Sequence, residues 1–211
     1  MILAFSFQAG PAQEMPGSIM IAGGGTENYG EWSDTPYGWV VEQAENKRVA
    51  IIAHDDSPGS WMPNYFESLG AEQADNFSVM TRQQADEQSL YDDLKTYDAV
   101  FFKGGNQANY YLDYKNTKLT QAVQEIFEEG GVISGTSAGL AILSGVIFTA
   151  ENGTVYSYEA LPEPNNQYMT LADDFLNLFP GYIFDSHFVE RSRFGRLIGF
   201  MGNWKLNNDE D

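Results

Sequence analysis

Cysteine is absent from the 211 residues. That excludes disulfides, thiolate metal sites and a cysteine nucleophile together. Positive charge is scarce: 11 Lys and Arg stand against 30 Asp and Glu, a net charge of −19. A nucleic-acid partner needs a basic face, which so few cations do not supply. The negative field draws cationic substrates over long range, and it equally suits solubility in a salty or extracellular setting. No apolar run reaches the length of a membrane span. Histidine occurs only at His54 and His187, so a histidine base must be one of these two.

What is present fits one globular domain. Aromatic residues make up 14% and hydrophobic residues 43% of the chain, enough for a sizeable core. Residues 1–16 are set apart. Ile2 to Ala12 is apolar and then small, like the back half of an export signal with Gly10 and Ala12 at the cleavage positions, although no basic region precedes it. The segment predicts a secreted or periplasmic protein; as a mere disordered tail it leaves a cytoplasmic one. Residues 17–211 then form a single α/β domain.

The domain alternates strand and helix. Ser18 to Ala22 predicts a first strand running into Gly23-Gly24-Gly25. Arg48 to Ala53 predicts a strand buried on both faces, ending at His54-Asp55-Asp56-Ser57. Ala99 to Phe102 runs into Lys103-Gly104-Gly105-Asn106-Gln107, and Val132-Ile133 leads into Gly135-Thr136-Ser137-Ala138-Gly139. A further strand is expected around 77–80, and helices over 36–46, 61–69, 82–95, 108–112 and 118–129. This is the pattern of a doubly wound, mostly parallel sheet, whose glycine loops line one edge at the strand C-termini. The first glycine loop lacks the G-x-G-x-x-G spacing of a dinucleotide site. Beyond residue 145, a hairpin turn is expected at Asn152-Gly153, a helix over 170–179 and a strand at Tyr182 to Asp185.

Gly135-x-Ser137-x-Gly139 has the form of a nucleophile elbow: a serine on a strand-to-helix turn, opened by glycines. The apolar run from Leu140 to Leu143 predicts a buried helix whose N-terminus favours an oxyanion. Both histidines follow apolar strands. His187 also lies beside Asp185 and near Arg191, Arg193 and Arg196, three of the eleven basic residues within six positions. Such arginines can offer forked donors to carboxylates or phosphates, or form salt bridges on a solvated helix.

Together Gly-Gly-Asn-Gln (104–107), Gly-Thr-Ser-Ala-Gly (135–139) and Asp-x-His-Phe-x-x-Arg-x-Arg-x-x-Arg-Leu (185–197) resemble the cyanophycinases. These are serine peptidases of family S51, related to aspartyl dipeptidase, on a class I glutamine-amidotransferase-like, flavodoxin-like three-layer fold. The resemblance spans residues 17–211. It implies Ser137 as nucleophile, His187 as base, and Gly105 and Ala138 as oxyanion donors. It implies a substrate pocket shaped by Asn106, Gln107, Thr136, Asp185, Ser186, Arg191, Arg193 and Arg196. The implied substrate is an aspartyl peptide, with an arginine-containing one among the candidates; the implied assembly is a homodimer, with no metal and no cofactor. Two departures stand out. Ser186 replaces the family's Gln, which weakens the case for cyanophycin itself. The family's triad acid follows the histidine on a strand reading roughly Gly-Ile-Asp-Glu, which does not occur here, so a C-terminally truncated chain is expected, with its acid beyond residue 211. Glu151 and Glu159 are fallback orienters of the base. The rival readings are a catalytically incomplete relative that binds ligands in the same crevice, and an unrelated α/β-hydrolase esterase.

Overall fold

The computed structural model describes residues 16–208 and the backbone of Phe5–Ser6. Most of the expected export signal lies outside the described residues, as do the terminal acids 209–211. Phe5–Ser6 forms β1, paired antiparallel with Tyr182–Ile183.

Five parallel strands make the central sheet: β2 (Ser18–Ala22), β3 (Arg48–Ala53), β4 (Gln73–Ser78), β5 (Ala99–Phe102) and β6 (Val132–Thr136). Their order in space is β2-β6-β5-β3-β4. β5 and β6 are wholly buried and β3 nearly so. Their alternating side chains serve two cores. Val49, Ile51 and Phe101 face α1 (Asp34–Gln43) and α2 (Trp61–Ser68). Ala50, Ile52, Val100, Phe102 and Ile133 face the opposite layer. That layer holds α3 (Arg82–Ala85), α4 (Gln88–Leu94), α5 (Gln107–Tyr114) and α6 (Lys118–Glu128). α6 buries Leu119, Val123, Ile126 and Phe127, the i, i+4, i+7, i+8 stripe of an amphipathic helix. The three-layer α/β fold read from the sequence is the one observed.

Several local expectations are corrected. The helix over 82–95 is two short helices, broken at Asp86-Glu87. The helix after Ser137 is a single turn, α7 (Ala138–Ala141), too short to build a macrodipole of any size. Beyond it, Gly145 lets the chain pass the Phe179 carbonyl, since a Cβ there would fall 2.1 Å from that oxygen. No hairpin closes at Asn152-Gly153. β7 (Ile147–Phe148) pairs instead with β8 (Leu171–Ala172), across a connection that contains α8 (Ser157–Ala160). Residues 170–179 hold β8 and turns, not a helix.

After β9 (Tyr182–Ile183) and a loop, α9 (Phe194–Asn208) closes the chain against α8. Gly195 and Gly199 allow that approach: a Cβ on Gly199 would meet Ala160 Cβ at 2.6 Å. A third core of Val146, Phe148, Val155, Phe188, Leu197 and Phe200 lies beneath this region. It anchors Phe188, and so the loop that carries His187.

Candidate active site

The C-terminal ends of β2, β5 and β6 converge on Ser137. Its backbone has φ 54° and ψ −114°, a strained conformation for a residue with a side chain. The neighbouring glycines make the turn possible. A Cβ on Gly135 would lie 2.6 Å from the Gly139 backbone, and one on Gly139 would lie 2.1 Å from the Phe102 carbonyl oxygen. The Ser137 N–H donates to the Ala22 carbonyl at 3.0 Å, which ties the elbow to the end of β2.

His187 reaches the same point from the far end of the sequence. Its N–H donates to the Gly23 carbonyl at 2.6 Å, and its φ is 46°. Nε2 lies 2.8 Å from Ser137 Oγ, and Nδ1 lies 2.8 Å from Glu190 Oε2. A carboxylate can only accept, so Nδ1 carries the proton and Nε2 offers its lone pair to the serine hydroxyl; the tautomer is assigned from this network. Glu190 is a carboxylate against the ring that the sequence does not single out. Its carboxyl is held below the usual glutamate range, first by the hydrogen bond to His187 and then by the histidine's charge. The fallback acids are occupied elsewhere. Glu151 accepts from the Thr149 hydroxyl and Glu159 from the Tyr156 N–H.

The two expected oxyanion donors each follow a residue at the hydroxyl. Ala138 is the first residue after the nucleophile and opens α7. Gly105 follows Gly104, at which a Cβ would sit 3.7 Å from Ser137 Oγ; its φ of 146° suits a residue without a side chain. Asn106 caps α5, accepting from the Ala108 N–H at 3.1 Å. The Gln107 amide donates to the Phe148 carbonyl. Thr136 donates to Glu27, a second carboxylate missed in the sequence, which also accepts from Tyr37 at 2.9 Å. Burial and the Glu27 charge push the Tyr37 hydroxyl well above its ordinary pKa.

The expected substrate residues downstream divide. Arg196 is 3% exposed and makes a forked pair with Asp185, Nε to Oδ2 at 2.7 Å and Nη2 to Oδ1 at 2.5 Å. Its guanidinium lies over the Phe148 and Phe200 rings. Asp185 and Arg196 are therefore committed to each other rather than open to the crevice. Arg193 donates to the Ser186 carbonyl at 2.8 Å and to the Ser186 hydroxyl at 3.2 Å, holding the residue before His187. Burial pushes Arg193 down to about 10, and the Arg196 charge adds to the effect. Arg191 is exposed and makes no side-chain hydrogen bond or ion pair among the described residues. His54 lies apart from the dyad, held by Asp113 at 2.8 Å and Asn109 at 3.2 Å. Among the described residues, no cluster of His, Asp and Glu is placed to hold a metal ion, and no helix is long and apolar enough to cross a membrane.

Comparison with known proteins bears on the family and the fold. The model for peptidase family S51 matches residues 19–205. A cyanophycinase from Trichormus variabilis is 30% identical over 134 residues, 63% of this chain and 42% of that protein. One from Synechococcus elongatus is 31% identical over 144 residues, again covering 42% of the relative. One from Geminocystis herdmanii is 23% identical over 196 residues, 90% of this chain and 69% of that one. The chain thus matches less than half the length of the first two relatives. A peptidase from an acI-B1 Actinobacterium shares the fold, with a TM-score of 0.55 at 21% identity, covering 68% of this chain and 62% of that one. The fold, the elbow motif and the family match together place the chain in peptidase family S51.

Proposed function

We propose that this chain is a serine peptidase that hydrolyses a peptide or isopeptide bond beside an aspartyl residue. The observation that carries this reading is the continuous relay Ser137–His187–Glu190, with 2.8 Å at each link. His187 takes the hydroxyl proton through Nε2 as Ser137 attacks the carbonyl carbon. Glu190 orients the ring and stabilises the imidazolium that forms. The backbone N–H groups of Gly105 and Ala138 receive the oxyanion. His187 then protonates the leaving amine, and water, deprotonated by the same nitrogen, clears the acyl-enzyme. Arg191 and Arg193 flank the histidine and suit the aspartyl carboxylate by charge.

Substituting Ser137→Ala tests this. Turnover of a β-aspartyl dipeptide falls by about a millionfold, labelling by a fluorophosphonate disappears, and the circular dichroism spectrum is unchanged. Undiminished turnover would remove the mechanism. The crevice-binding rival predicts neither labelling nor turnover in the unaltered chain. The orienting glutamate favours the enzyme, because a binding protein has no use for a tautomer-fixed histidine against a serine. Family S51 membership sets the unrelated esterase aside.

A further inference from the structure

Gly104 and Gly105, which bring the loop after β5 to the nucleophile, have no side chains to hold them in place, and Gly105 stands at φ 146°. A glycine pair has many backbone states open to it, so a fixed set of donors there needs an anchor from outside. The next helix supplies one. Tyr110 on α5 is fully buried. Its hydroxyl donates to the Lys103 carbonyl at 2.8 Å, with the Gly104 carbonyl at 3.4 Å as a second, longer acceptor. Burial raises the phenol above its ordinary pKa, so the hydroxyl keeps the proton that the two carbonyls share.

Two consecutive carbonyls within reach of one hydroxyl face the same side. A peptide unit is planar and trans, so its N–H points opposite to its C=O. The Gly104 and Gly105 N–H groups therefore face away from Tyr110, and neither meets an acceptor among the described residues. Consecutive N–H groups turned the same way form a concavity for an anion. This one borders the serine: a Cβ on Gly104 would fall 3.3 Å from Ser137 Cβ. The elbow closes on the same peptides from its own side, since a Cβ on Gly139 would fall 2.9 Å from the Lys103 carbonyl oxygen. A hydrogen bond to a carbonyl also polarises its peptide and strengthens the N–H at the other end.

We propose that Tyr110 is a positioning residue for the oxyanion: its hydroxyl fixes the Lys103–Gly104 and Gly104–Gly105 peptides so that their N–H groups meet the charge developing at the scissile carbonyl. The inference rests on the peptidase reading, because it assigns a residue to that reaction. Tyr110 touches no substrate. It acts through two peptide groups, and its effect is felt once the carbonyl oxygen is charged, so it belongs to kcat rather than to KM.

Tyr110→Phe removes one oxygen and leaves the ring in its core. For a β-aspartyl dipeptide, kcat should fall roughly tenfold to a hundredfold, at or below the loss of a whole oxyanion donor, with KM little changed. Fluorophosphonate labelling of Ser137 should slow by a similar factor, since the phosphoryl oxygen takes the oxyanion's place, and the pH–rate profile set by His187 should not move. Tyr114→Phe is the control. Tyr114, one turn further along α5, is equally buried and donates to the Val79 carbonyl at 2.6 Å, outside the loop. Its loss should lower Tm about as much as Tyr110→Phe does and leave kcat alone. p-Aminophenylalanine in place of Tyr110 returns a donor and should recover part of the rate. An unchanged kcat in Tyr110→Phe, an equal loss in Tyr114→Phe, or a change confined to KM would each overturn the role of Tyr110 while the unaltered enzyme remains active. An unaltered chain that neither labels nor turns over the peptide would overturn the peptidase reading, and this role with it.

Discussion

The pair Asp185–Arg196 separates two roles that the sequence motif does not distinguish. Family resemblance suggests that these residues shape the substrate pocket. In the structure both side chains are 3% exposed and bound to each other. The guanidinium donates twice to the carboxylate, at 2.7 and 2.5 Å, and once to the Thr154 hydroxyl at 3.2 Å, with Phe148 and Phe200 beneath it. Substituting Asp185→Asn leaves a buried guanidinium without its counter-charge. Hydrogen bonds to charged groups contribute about 1.5–3 kcal/mol each, net of the water they replace. Breaking a buried pair by removing one partner costs about 3–5 kcal/mol. For a domain of this size, each kcal/mol lowers Tm by roughly 2–4 °C, so Tm should fall by about 6–20 °C.

Arg196→Met should cost less, because the Asp185 carboxylate keeps Arg193 Nη1 at 3.4 Å and the Ser186 N–H at 2.9 Å. The double variant Asp185→Leu/Arg196→Met removes both charges, and much of the loss should return. Differential scanning calorimetry of the four proteins closes the cycle and isolates the coupling. Activity of the single variants should fall only as the folded fraction falls, and recover on cooling. An unchanged Tm with a raised KM would refute this reasoning and return both residues to the substrate pocket.

Two other outcomes follow from the site and the core. Glu190→Gln should lower kcat about tenfold to a hundredfold with little change in KM, and Glu190→Asp should recover part of it. The loss stays below the roughly 10⁴-fold seen for a buried triad acid, because the Glu190 side chain is 67% exposed and its charge is screened; steady-state kinetics giving no change would dismiss it as the orienter. At high pH, Tyr65 and Tyr97 are held up to about 12, chiefly by burial, and Tyr37, Tyr110 and Tyr114 are raised by the same cause. The unfolded chain loses these protons near pH 10, while the native state keeps them. Stability is therefore untouched below pH 10 and falls above it by about 1.4 kcal/mol per tyrosine per pH unit, until each folded pKa is passed. Absorbance at 295 nm should show these five ionising only with cooperative unfolding; gradual ionisation in a folded chain would contradict their burial.

The sheet was legible where strands are buried on both faces, since Arg48–Ala53 and Ala99–Phe102 read as unbroken apolar runs and were found at those bounds. β4 was placed only roughly, around 77–80, because Gln73–Ser78 is a polar edge strand whose outer side needs no apolar residue. Residues 170–179 misled for the opposite reason. Phe175, Leu176 and Leu178 have helix-like spacing, but they pack into the sheet-side core from an irregular segment. In the site, Ser137 and His187 were legible through motif and scarcity. Glu190 was in view, three residues past the histidine, yet its contact depends on a turn begun by a histidine at positive φ. Glu27 lies 109 residues from its Thr136 partner, and nothing in a single sequence marks such a pairing.

Ser137 and His187 are registered by backbone contacts as well as by side-chain packing. Ser137 and His187 both hold positive φ, at 54° and 46°, each a conformation that costs on the order of 1–3 kcal/mol. They lie fifty residues apart, yet their N–H groups bind successive carbonyls, Ala22 and Gly23, at the end of one strand. Each strained residue is thus pinned to an element that neither belongs to, and the two pins lie one residue apart, separated only by the Gly23 backbone. Glu190 and the Gly135–Gly139 contact then set only rotation: the first turns the imidazole about its ring, the second aims the serine hydroxyl. Gly24 completes the device, because only a residue without Cβ lets the chain leave the strand past the imidazole. The glycines after β2 therefore shape the Ser137–His187 site as much as those around Ser137 do, although only the latter carry a motif in the sequence.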